Sequence, residues 1–279
     1  MNTPETAALL SLIRRHQPDV SGPVRVLTAG FNSVAVIAGH DLWRIPRQPQ
    51  FERYLRSEAA LMSEIGQLQA VAIPALQLFD NPVMTRHRLI PGEVLPPERY
   101  PDLSDRSRDE LAETLAAGMV ELHGLKVQID PLEPWDDVEV IRTRLNLPDD
   151  LRPWAERVLA DYAALGPDPE GEVFSHFDLH GWNMAFDFDA GRLNGIYDFG
   201  DAGRGPLHRD FVAPSLISTD FVIRLVARYE RLSGRALDHR RIGLLCATHR
   251  LWELGDPELP EVVRPMLVNA AHEAARTWP

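Results

Sequence analysis

The feature that most constrains the fold is a pair of polar motifs separated by the pattern of a single hairpin. His176, Asp178 and Asn183 lie in one short stretch, and Asp198-Phe199-Gly200 begins fifteen residues after Asn183. Between them, alternating apolar residues flank Asp189-Ala190-Gly191, which predicts two antiparallel strands joined by a tight turn. The start of the first strand then lies beside the end of the second. Asn183 and Asp198 are therefore expected side by side, with Asp178 one loop away.

Three oxygen-bearing side chains at one point are what a magnesium–phosphate site requires. Asn183 and Asp198 are the candidate magnesium ligands, and Asp178 is the candidate group that accepts or orients the proton of an attacking hydroxyl. The order H-x-D-x-x-x-x-N followed by D-F-G is typical of the catalytic and metal loops of kinase-like enzymes. These residues favour phosphoryl transfer, which depends mainly on positioning and on charge neutralisation.

The same residues allow two other interpretations. Asp178 and Asn183 are common turn formers, and Asp198 is a candidate loop cap. A zinc or iron hydrolase is also conceivable, because imidazoles and carboxylates together suit transition metals. The ligands of such a site would be His176, Asp178, His180, Asp198, His208 and Asp210. That alternative gives Asn183 and the first third of the chain no role.

Neighbouring polar residues have supporting roles in the leading hypothesis. His176 is expected to hydrogen-bond the backbone and hold Asp178 in place, and His180 to be a loop residue without chemistry. Asp201 is a candidate for contact with a second metal ion or water, or else an exposed carboxylate. Asp210 is expected either to brace the catalytic loop through its backbone amides or to cap a nearby helix.

The N-terminal third predicts strands, a small-residue turn and one helix. The predicted elements are Val24–Ala29, Ser33–Ala38, Asp41–Ile45 and a helix over Phe51–Ile65. Backbone amides in the turn at Gly30 are candidates to contact phosphate, although an ordinary hairpin turn has the same pattern. Arg44 is the candidate cation that holds the phosphates, and Glu58 its partner on the helix. Alternatively, both are solvated charges.

With these motifs in place, the chain resembles the aminoglycoside phosphotransferase (APH)/choline kinase-like family of small-molecule kinases over nearly its whole length. The similar segments are Gly30–Ala35, Leu42–Arg47, Arg88–Glu93, Leu122–Leu125, His176–Asn183 and Ile196–Asp201. The resemblance implies magnesium-dependent transfer of the γ-phosphate of ATP (or GTP) to a hydroxyl of an aminoglycoside-like antibiotic or related metabolite. It thereby implies a link to antibiotic resistance.

The resemblance also implies roles for individual residues. Asp178, Asn183 and Asp198 would be catalytic, with Asn183 and Asp198 binding magnesium. The nucleotide would be bound by Gly30, Asn32, Ser33, Arg44 and Glu58, with backbone groups around Arg88 and Ile90 receiving the adenine.

Two positions depart from the family pattern, and one of them is Gly205-Pro206, where relatives often have Asp-Pro. Many relatives have lysine where this chain has Arg44, and arginine can hold phosphate with two hydrogen bonds. The bulk of arginine leaves open a nucleotide-binding regulator without transfer activity. Among enzymes, the alternative acceptors are choline-like amines, homoserine, ketosamines and macrolides.

Composition narrows the classes of partner. The net charge of −12 argues against nucleic acid and agrees with a cationic small acceptor. The carboxylates that are candidates to bind such an acceptor are Glu253, Asp256, Glu258 and Glu261. Alternatively, these four residues form an ordinary solvated face. A single cysteine, Cys246, fits a reducing compartment. We find no membrane-spanning apolar run and no secretory signal, so we expect a cytoplasmic protein without a membrane partner.

The order of elements predicts an α+β, protein-kinase-like two-lobe fold. A small β-rich N-terminal lobe, residues 1–91, is expected to bind the nucleotide. A larger, mainly helical C-terminal lobe, residues 92–279, is expected to hold the catalytic and substrate-binding groups. Helical apolar spacing in this lobe covers Leu111–Leu125, Leu151–Leu165, Phe221–Leu232, Arg240–Leu251 and Glu261–Ala275.

Overall fold

The computed structural model describes residues 4–21, 23–27, 32–129, 131–132, 134–135 and 137–277. Its N-terminal part is an antiparallel sheet of five strands in the order β1-β2-β3-β5-β4. The strands are β1 (Val24–Leu27), β2 (Ser33–Ala38), β3 (Asp41–Pro46), β4 (Gln77–Phe79) and β5 (Met84–Arg88). The sequence predicted the first three; residues 28 and 29 of the predicted first strand lie outside the described residues.

The N-terminal sheet has its own apolar cluster. In β3, buried and half-buried side chains alternate, as expected when one face of a strand packs against a core. Trp43 and Ile45 of β3 are buried in one cluster with Leu10 and Ile13 of helix α1 (Pro4–His16). Helix α1 therefore packs on the sheet face that these strand residues present.

Helix α2 (Glu52–Ile65) connects the sheet to the rest of the molecule. Its buried residues are Leu55, Glu58, Ala59, Met62 and Ile65, at the spacing of one helix face. Met62 and Ile65 belong to the large apolar cluster of the C-terminal part. Glu58 is thus a charged residue on an otherwise apolar face, so it needs a partner.

The C-terminal part is mainly helical. Its helices are α3 (Asp105–Gly124), α4 (Val138–Arg144), α5 (Arg152–Ala163), α6 (Thr219–Ser233), α7 (His239–Leu254) and α8 (Arg264–Thr277). Helix α3 begins earlier than predicted because Ser104 caps it, with Oγ accepting the Ser107 N–H at 3.1 Å. Helix α4 was not predicted; at seven residues it is too short for a clear apolar period.

Two small antiparallel sheets lie among these helices. Strands β6 (Glu172–Ser175) and β9 (Gly203–Pro206) pair with each other, and β7 (Met184–Asp187) pairs with β8 (Arg192–Ile196). The β7–β8 pair is the predicted hairpin. The two polar motifs lie in the loops that follow these strands. The first motif is in the loop between β6 and β7, and the second is in the loop between β8 and β9.

Two apolar clusters form the C-terminal core. The larger one combines α3, α6 and the β7–β8 hairpin, including Leu115, Phe186 and Phe221. The smaller one combines α4, α5, α7 and α8. None of the helices that the structure describes is long and apolar enough to cross a bilayer.

Candidate active site

The β7–β8 hairpin brings the two polar motifs together. Met184 pairs with Ile196, and the Tyr197 N–H donates to the Asn183 carbonyl at 3.0 Å. Asn183 and Asp198 therefore lie at the open end of the hairpin, as the alternation of apolar residues predicted. Asp198 adopts a left-handed conformation (φ 66°, ψ 70°) that turns the chain into a short 3-10 helix at Phe199–Asp201.

Asp178 is held by Asn183. The Asn183 side-chain amide donates to Oδ2 of Asp178 at 2.8 Å and to the Asp178 carbonyl at 3.0 Å. His180 Nε2 lies 3.4 Å from the same Oδ2. Because both neighbours approach Oδ2, Oδ1 of Asp178 is the oxygen left for an incoming hydroxyl. Since the side-chain nitrogen of Asn183 faces Asp178, the side-chain oxygen Oδ1 of Asn183 is the atom available to a cation.

The charge of Asp178 is disfavoured by its surroundings. Burial, followed by the negative charges of Asp201 and Asp198, raises the pKa of Asp178 to about 7, and the hydrogen bond from Asn183 opposes this shift. Asp201, left open between a metal contact and an exposed carboxylate, is exposed and lies near enough to act on Asp178. Three carboxylates around one loop create a site that attracts cations.

His176 has the structural role that was predicted. Its Nδ1 accepts the Asp178 N–H at 3.3 Å, and its Nε2 donates to the Tyr197 carbonyl at 3.1 Å. Burial lowers the pKa of His176, so the ring is neutral and each nitrogen has one function. The ring also packs on Phe199, with centroids 4.5 Å apart. One imidazole therefore connects residues 176–183, the candidate catalytic loop, to residues 198–201, the candidate metal loop.

Asp210 braces the catalytic loop from below. Its Oδ1 accepts the Phe177 N–H at 3.0 Å, and its Oδ2 accepts from Ser175 Oγ at 2.6 Å and from His123 Nε2 at 2.9 Å. All three contacts are buried or partly buried, where hydrogen bonds are strong. The alternative role of Asp210 as a helix cap is wrong, because its carboxylate is occupied by these groups.

The contacts of His176 and His208 argue against the zinc or iron hydrolase. His208 Nδ1 donates to Asp168 at 2.8 Å, and its Nε2 accepts the Asp238 N–H at 2.9 Å. Both nitrogens of His208, like those of His176, are used in these bonds. Within the described residues, no three His, Cys, Asp or Glu side chains form a group that could hold a metal ion.

The oxygen donors do fit magnesium. The amide oxygen of Asn183 and the carboxylate of Asp198 are hard ligands, and magnesium commonly takes one or two such protein ligands together with phosphate oxygens. Asp198 lies next to Asn183 at the end of the hairpin. This donor set has no imidazole or thiolate, the ligands that select transition metals.

Arg44 and Glu58 form the predicted pair. Arg44 Nη1 lies 2.5 Å from Glu58 Oε2 and 3.6 Å from Asp198 Oδ1, and its Nε donates to Ser33 Oγ at 3.2 Å. Burial raises the pKa of Glu58, and the charge of Arg44 opposes that shift. The guanidinium thus joins the sheet, helix α2 and the metal loop at one point.

The other candidate nucleotide contacts lie at several places in the structure. The Asn32 carbonyl accepts the Arg47 N–H at 3.0 Å, and Gly30 lies outside the described residues. Arg88 ends β5, and its carbonyl accepts from His87 Nδ1 at 2.8 Å. Ile90 packs so closely on β8 that a Cβ at Gly195 would lie 2.7 Å from its side chain. The structure brings Ser33, but not Arg88 or Ile90, into contact with Arg44.

A large cavity opens beside the catalytic loop. Its volume is about 1290 Å³, and its walls include His180 and Trp182 of the loop and parts of α7 and α8. Of the four carboxylates proposed to bind a cationic acceptor, Glu253 and Asp256 line this cavity. Glu258 and Glu261 are exposed, and Glu261 pairs with Arg264. Sequence reasoning missed Trp182, although it stands inside the catalytic motif.

Comparison with known proteins gives one family. The family described as the phosphotransferase enzyme family (APH) matches residues 23–245. No curated protein sequence is a significant match to the chain.

Solved phosphotransferases have a similar fold. The GDP complex of wild-type aminoglycoside 2'-phosphotransferase-IIIa has a TM-score of 0.76 at 20% identity, over 97% of this chain and 98% of that one. Macrolide 2'-phosphotransferase type I has a TM-score of 0.71 at 20% identity, over 95% and 98%. The macrolide 2'-phosphotransferase of Brachybacterium faecium has a TM-score of 0.70 at 18% identity, over 95% and 97%. The likeness confirms the predicted two-lobe, kinase-like α+β fold.

Proposed function

The chain belongs to the phosphotransferase enzyme family, and from this premise we propose that it transfers the γ-phosphoryl group of ATP or GTP to a hydroxyl of a small molecule. The observation that supports this best is the single cluster formed by Ser33, Arg44, Glu58, Asp178, Asn183 and Asp198. It combines a phosphate-binding cation, hard oxygen ligands and a carboxylate for the hydroxyl.

In the proposed mechanism, each residue has one task. Asn183 and Asp198 would hold magnesium, which would neutralise charge on the phosphates. Arg44, fixed by Glu58, binds phosphate oxygens. Asp178 orients the acceptor hydroxyl through Oδ1 and takes its proton as the new O–P bond forms and the bond to the leaving bridging oxygen breaks.

The nucleotide and the acceptor follow from the same proposal. Related phosphotransferases have been solved with GDP, ADP and ATP, which supports nucleotide binding between residues 1–91 and 92–279. One relative has been solved with kanamycin, another with streptomycin or gentamicin, so we propose an antibiotic or a related metabolite as acceptor. We further propose a cytoplasmic enzyme without nucleic acid or membrane partners, in keeping with the net charge of −12 and the single cysteine.

The test is an ADP-release assay across hydroxylated antibiotics and metabolites with the Asp178→Asn variant. We expect this variant to lower kcat by about 100- to 10,000-fold, because a positioned proton acceptor contributes that much. Its nucleotide affinity should stay unchanged, as measured by calorimetry. Asp189→Asn, an exposed carboxylate at the distal turn of the hairpin, is the matched control and should retain full activity.

Two results would contradict the proposal. Full turnover by Asp178→Asn with a true acceptor would remove its role. The absence of acceptor-dependent ADP release from the wild-type protein across the panel would favour a nucleotide-binding regulator, whereas sustained release would exclude that alternative.

A further inference from the structure

The cavity beside the catalytic loop is large for a small-molecule site. Its volume of about 1290 Å³ exceeds the range of about 300–1,000 Å³ that is usual for such pockets. His180, which lies 3.4 Å from Asp178, forms part of its wall. A molecule in this cavity would therefore lie within reach of the proposed phosphoryl acceptor position.

The walls of the cavity present apolar side chains to solvent. Trp182 is 42% exposed, Met266 is 50% exposed and Val262 is 86% exposed, and all three line this one cavity. Leu259 and Val263 lie beside them in the same wall. Single exposed apolar residues are ordinary on a protein surface, whereas several around one concave site indicate a ligand with an apolar surface.

The charges that line the cavity are of both signs, and one of the carboxylates already has a cationic partner. Its described lining contains four carboxylates and two guanidinium groups: Glu98, Glu253, Asp256, Glu273, Arg250 and Arg276. Glu253 accepts from Arg250 and lies 3.5 Å from His249 Nδ1. Asp256 uses Oδ1 to accept the Glu258 N–H at 2.8 Å. With two guanidinium groups against four carboxylates in this lining, a ligand with several ammonium groups would have only part of its charge neutralised.

We infer that the acceptor is a bulky, mainly apolar alcohol with at most one cationic group, and that it packs against Trp182 and the apolar side chains of α8. This inference rests on the proposed function, because the acceptor hydroxyl has to reach Asp178. A polycationic sugar is a poorer match, since it would place charged, hydrated groups against apolar walls at a desolvation cost. The amine of the acceptor would lie at the polar rim near Asp256.

The experiment compares a single-amine macrolide with kanamycin as probes. Binding is measured by calorimetry on the Asp178→Asn protein, and turnover by ADP release from the wild-type protein. We expect tighter binding and faster release with the macrolide. Trp182→Ala and Met266→Glu should each weaken macrolide binding at least about tenfold, since each removes apolar contact area from the ligand.

Matched variants separate a local effect from a general one. Ile223 is 56% exposed on α6 and does not line the cavity, so Ile223→Glu should change macrolide affinity less than about twofold. Met266 lies in the first turn of α8, where a glutamate is compatible with the helix dipole, so Met266→Glu is expected to fold. Met266→Glu should also improve kanamycin binding.

The outcomes distinguish this inference from the proposed function. Kanamycin binding and turnover above those of the macrolide, or macrolide affinity unaffected by both cavity variants, would overturn the inference and leave phosphoryl transfer intact. Saturable macrolide binding that responds to Trp182→Ala without ADP release would support the inference and overturn the proposed function. Lack of binding by both probes would overturn the inference.

Discussion

Asp178 is the residue on which the proposed chemistry depends, and it is fixed at both its backbone and its side chain. Its N–H donates to His176, and its carboxylate accepts from Asn183. Phe177, just before it, has a positive φ of 58°, and Asp210 holds the Phe177 N–H. A non-glycine residue in this region is strained unless its surroundings hold it. The loop therefore presents Asp178 in one conformation before any ligand binds.

The pKa of Asp178 gives a prediction about stability. Because this pKa is about 7 in the folded protein and 3.8 in the ordinary case, the folded state keeps a proton that the unfolded chain loses. The contribution of Asp178 to stability therefore falls as pH rises from about 4 to about 7 and is constant above that range. The Asp178→Asn variant cannot ionise there. We expect its Tm, relative to wild type in magnesium-free buffer, to increase over this range and then level off.

Differential scanning calorimetry at several pH values checks this. The Asp189→Asn control should follow the wild-type curve, since that carboxylate is exposed. If the curves of wild type and Asp178→Asn were parallel between about pH 4 and about pH 7, the raised pKa would be wrong.

At this scale, sequence identified the residues within each motif but not those that support them from afar. Asp178 and Asn183 are five positions apart, so both can be recognised in one short sequence motif. Asp210 is 87 positions from His123 and 35 from Ser175, so only the packing of α3 against the β6–β9 region shows these bonds. The partners of a buried carboxylate that are far away in the chain produce no local pattern in the sequence, so sequence analysis cannot identify them.

At the scale of elements, the segment that follows β5 ties the sheet to the catalytic loop. Glu93 exchanges two backbone hydrogen bonds with Phe186 of β7, each 2.8 Å long, and the Leu95 N–H donates to the Gly181 carbonyl at 2.9 Å. A Cβ at Gly181 would lie 1.7 Å from the Leu95 carbonyl oxygen, so this approach requires glycine. The connection is thus made by backbone contacts.

The contact between β3 and α2 gives a second prediction. Glu58 is 7% exposed, so Arg44→Met would leave a buried carboxylate without its partner. We expect the free energy of unfolding to fall by about 2–4 kcal/mol, less than for a fully buried pair because Arg44 is partly exposed. The double variant Arg44→Met/Glu58→Met should regain most of that loss. Urea denaturation of the wild type, the two single variants Arg44→Met and Glu58→Met, and the double variant measures the free energies of this double-mutant cycle.

The matched control is an exposed ion pair that, like Arg44–Glu58, has one member on α2. Arg56 lies 2.6 Å from Asp80 with both side chains in solvent, so Arg56→Met should cost no more than about 1 kcal/mol. A loss for Arg44→Met as small as that for Arg56→Met would show that the Glu58 carboxylate does not depend on this ion pair.

The elements that sequence missed are short or lack an apolar period. Strand β4 has three residues, and β9 reads Gly-Arg-Gly-Pro, which predicts a turn rather than a strand. Both form because a neighbouring strand supplies their hydrogen-bonding partner: β5 for β4, and β6 for β9. By contrast, α6 and the β7–β8 hairpin were found because each has a clear period of its own.

At the scale of the whole molecule, the N-terminal sheet and the helical part have separate apolar clusters. Helix α2 contacts strands of the sheet and contributes Met62 and Ile65 to the C-terminal cluster. Arg44 lies in the sheet and approaches Asp198 of the metal loop at 3.6 Å. A magnesium–nucleotide complex bound here would contact both parts. Such binding stabilises the folded state by mass action.

This gives a prediction about metal and ligand removal. ATP with magnesium at about 100 times its Kd should stabilise the protein by about 2.7 kcal/mol, and EDTA should remove most of that gain. In the Asp198→Asn variant, ATP with magnesium should stabilise the protein only as much as ATP with EDTA stabilises the wild type. Asparagine is the substitution of choice because it tolerates the left-handed conformation of Asp198. Thermal unfolding with and without EDTA measures these shifts.

The control is Asp189→Asn, which should respond as wild type does. A magnesium-dependent shift of full size in Asp198→Asn would remove Asp198 from the proposed metal site.

The separation between the buried bonds of His176 and Asp210 and the exposed wall of α8 has a consequence for engineering and evolution. Side chains of α8 that line the cavity can vary without disturbing the imidazole and carboxylate that lock the reacting loops. Libraries confined to the exposed residues of this wall, such as Val262 and Met266, would therefore change the preferred alcohol while leaving the proposed catalytic residues in place. Natural selection could change the acceptor preference in the same way, through substitutions in this wall.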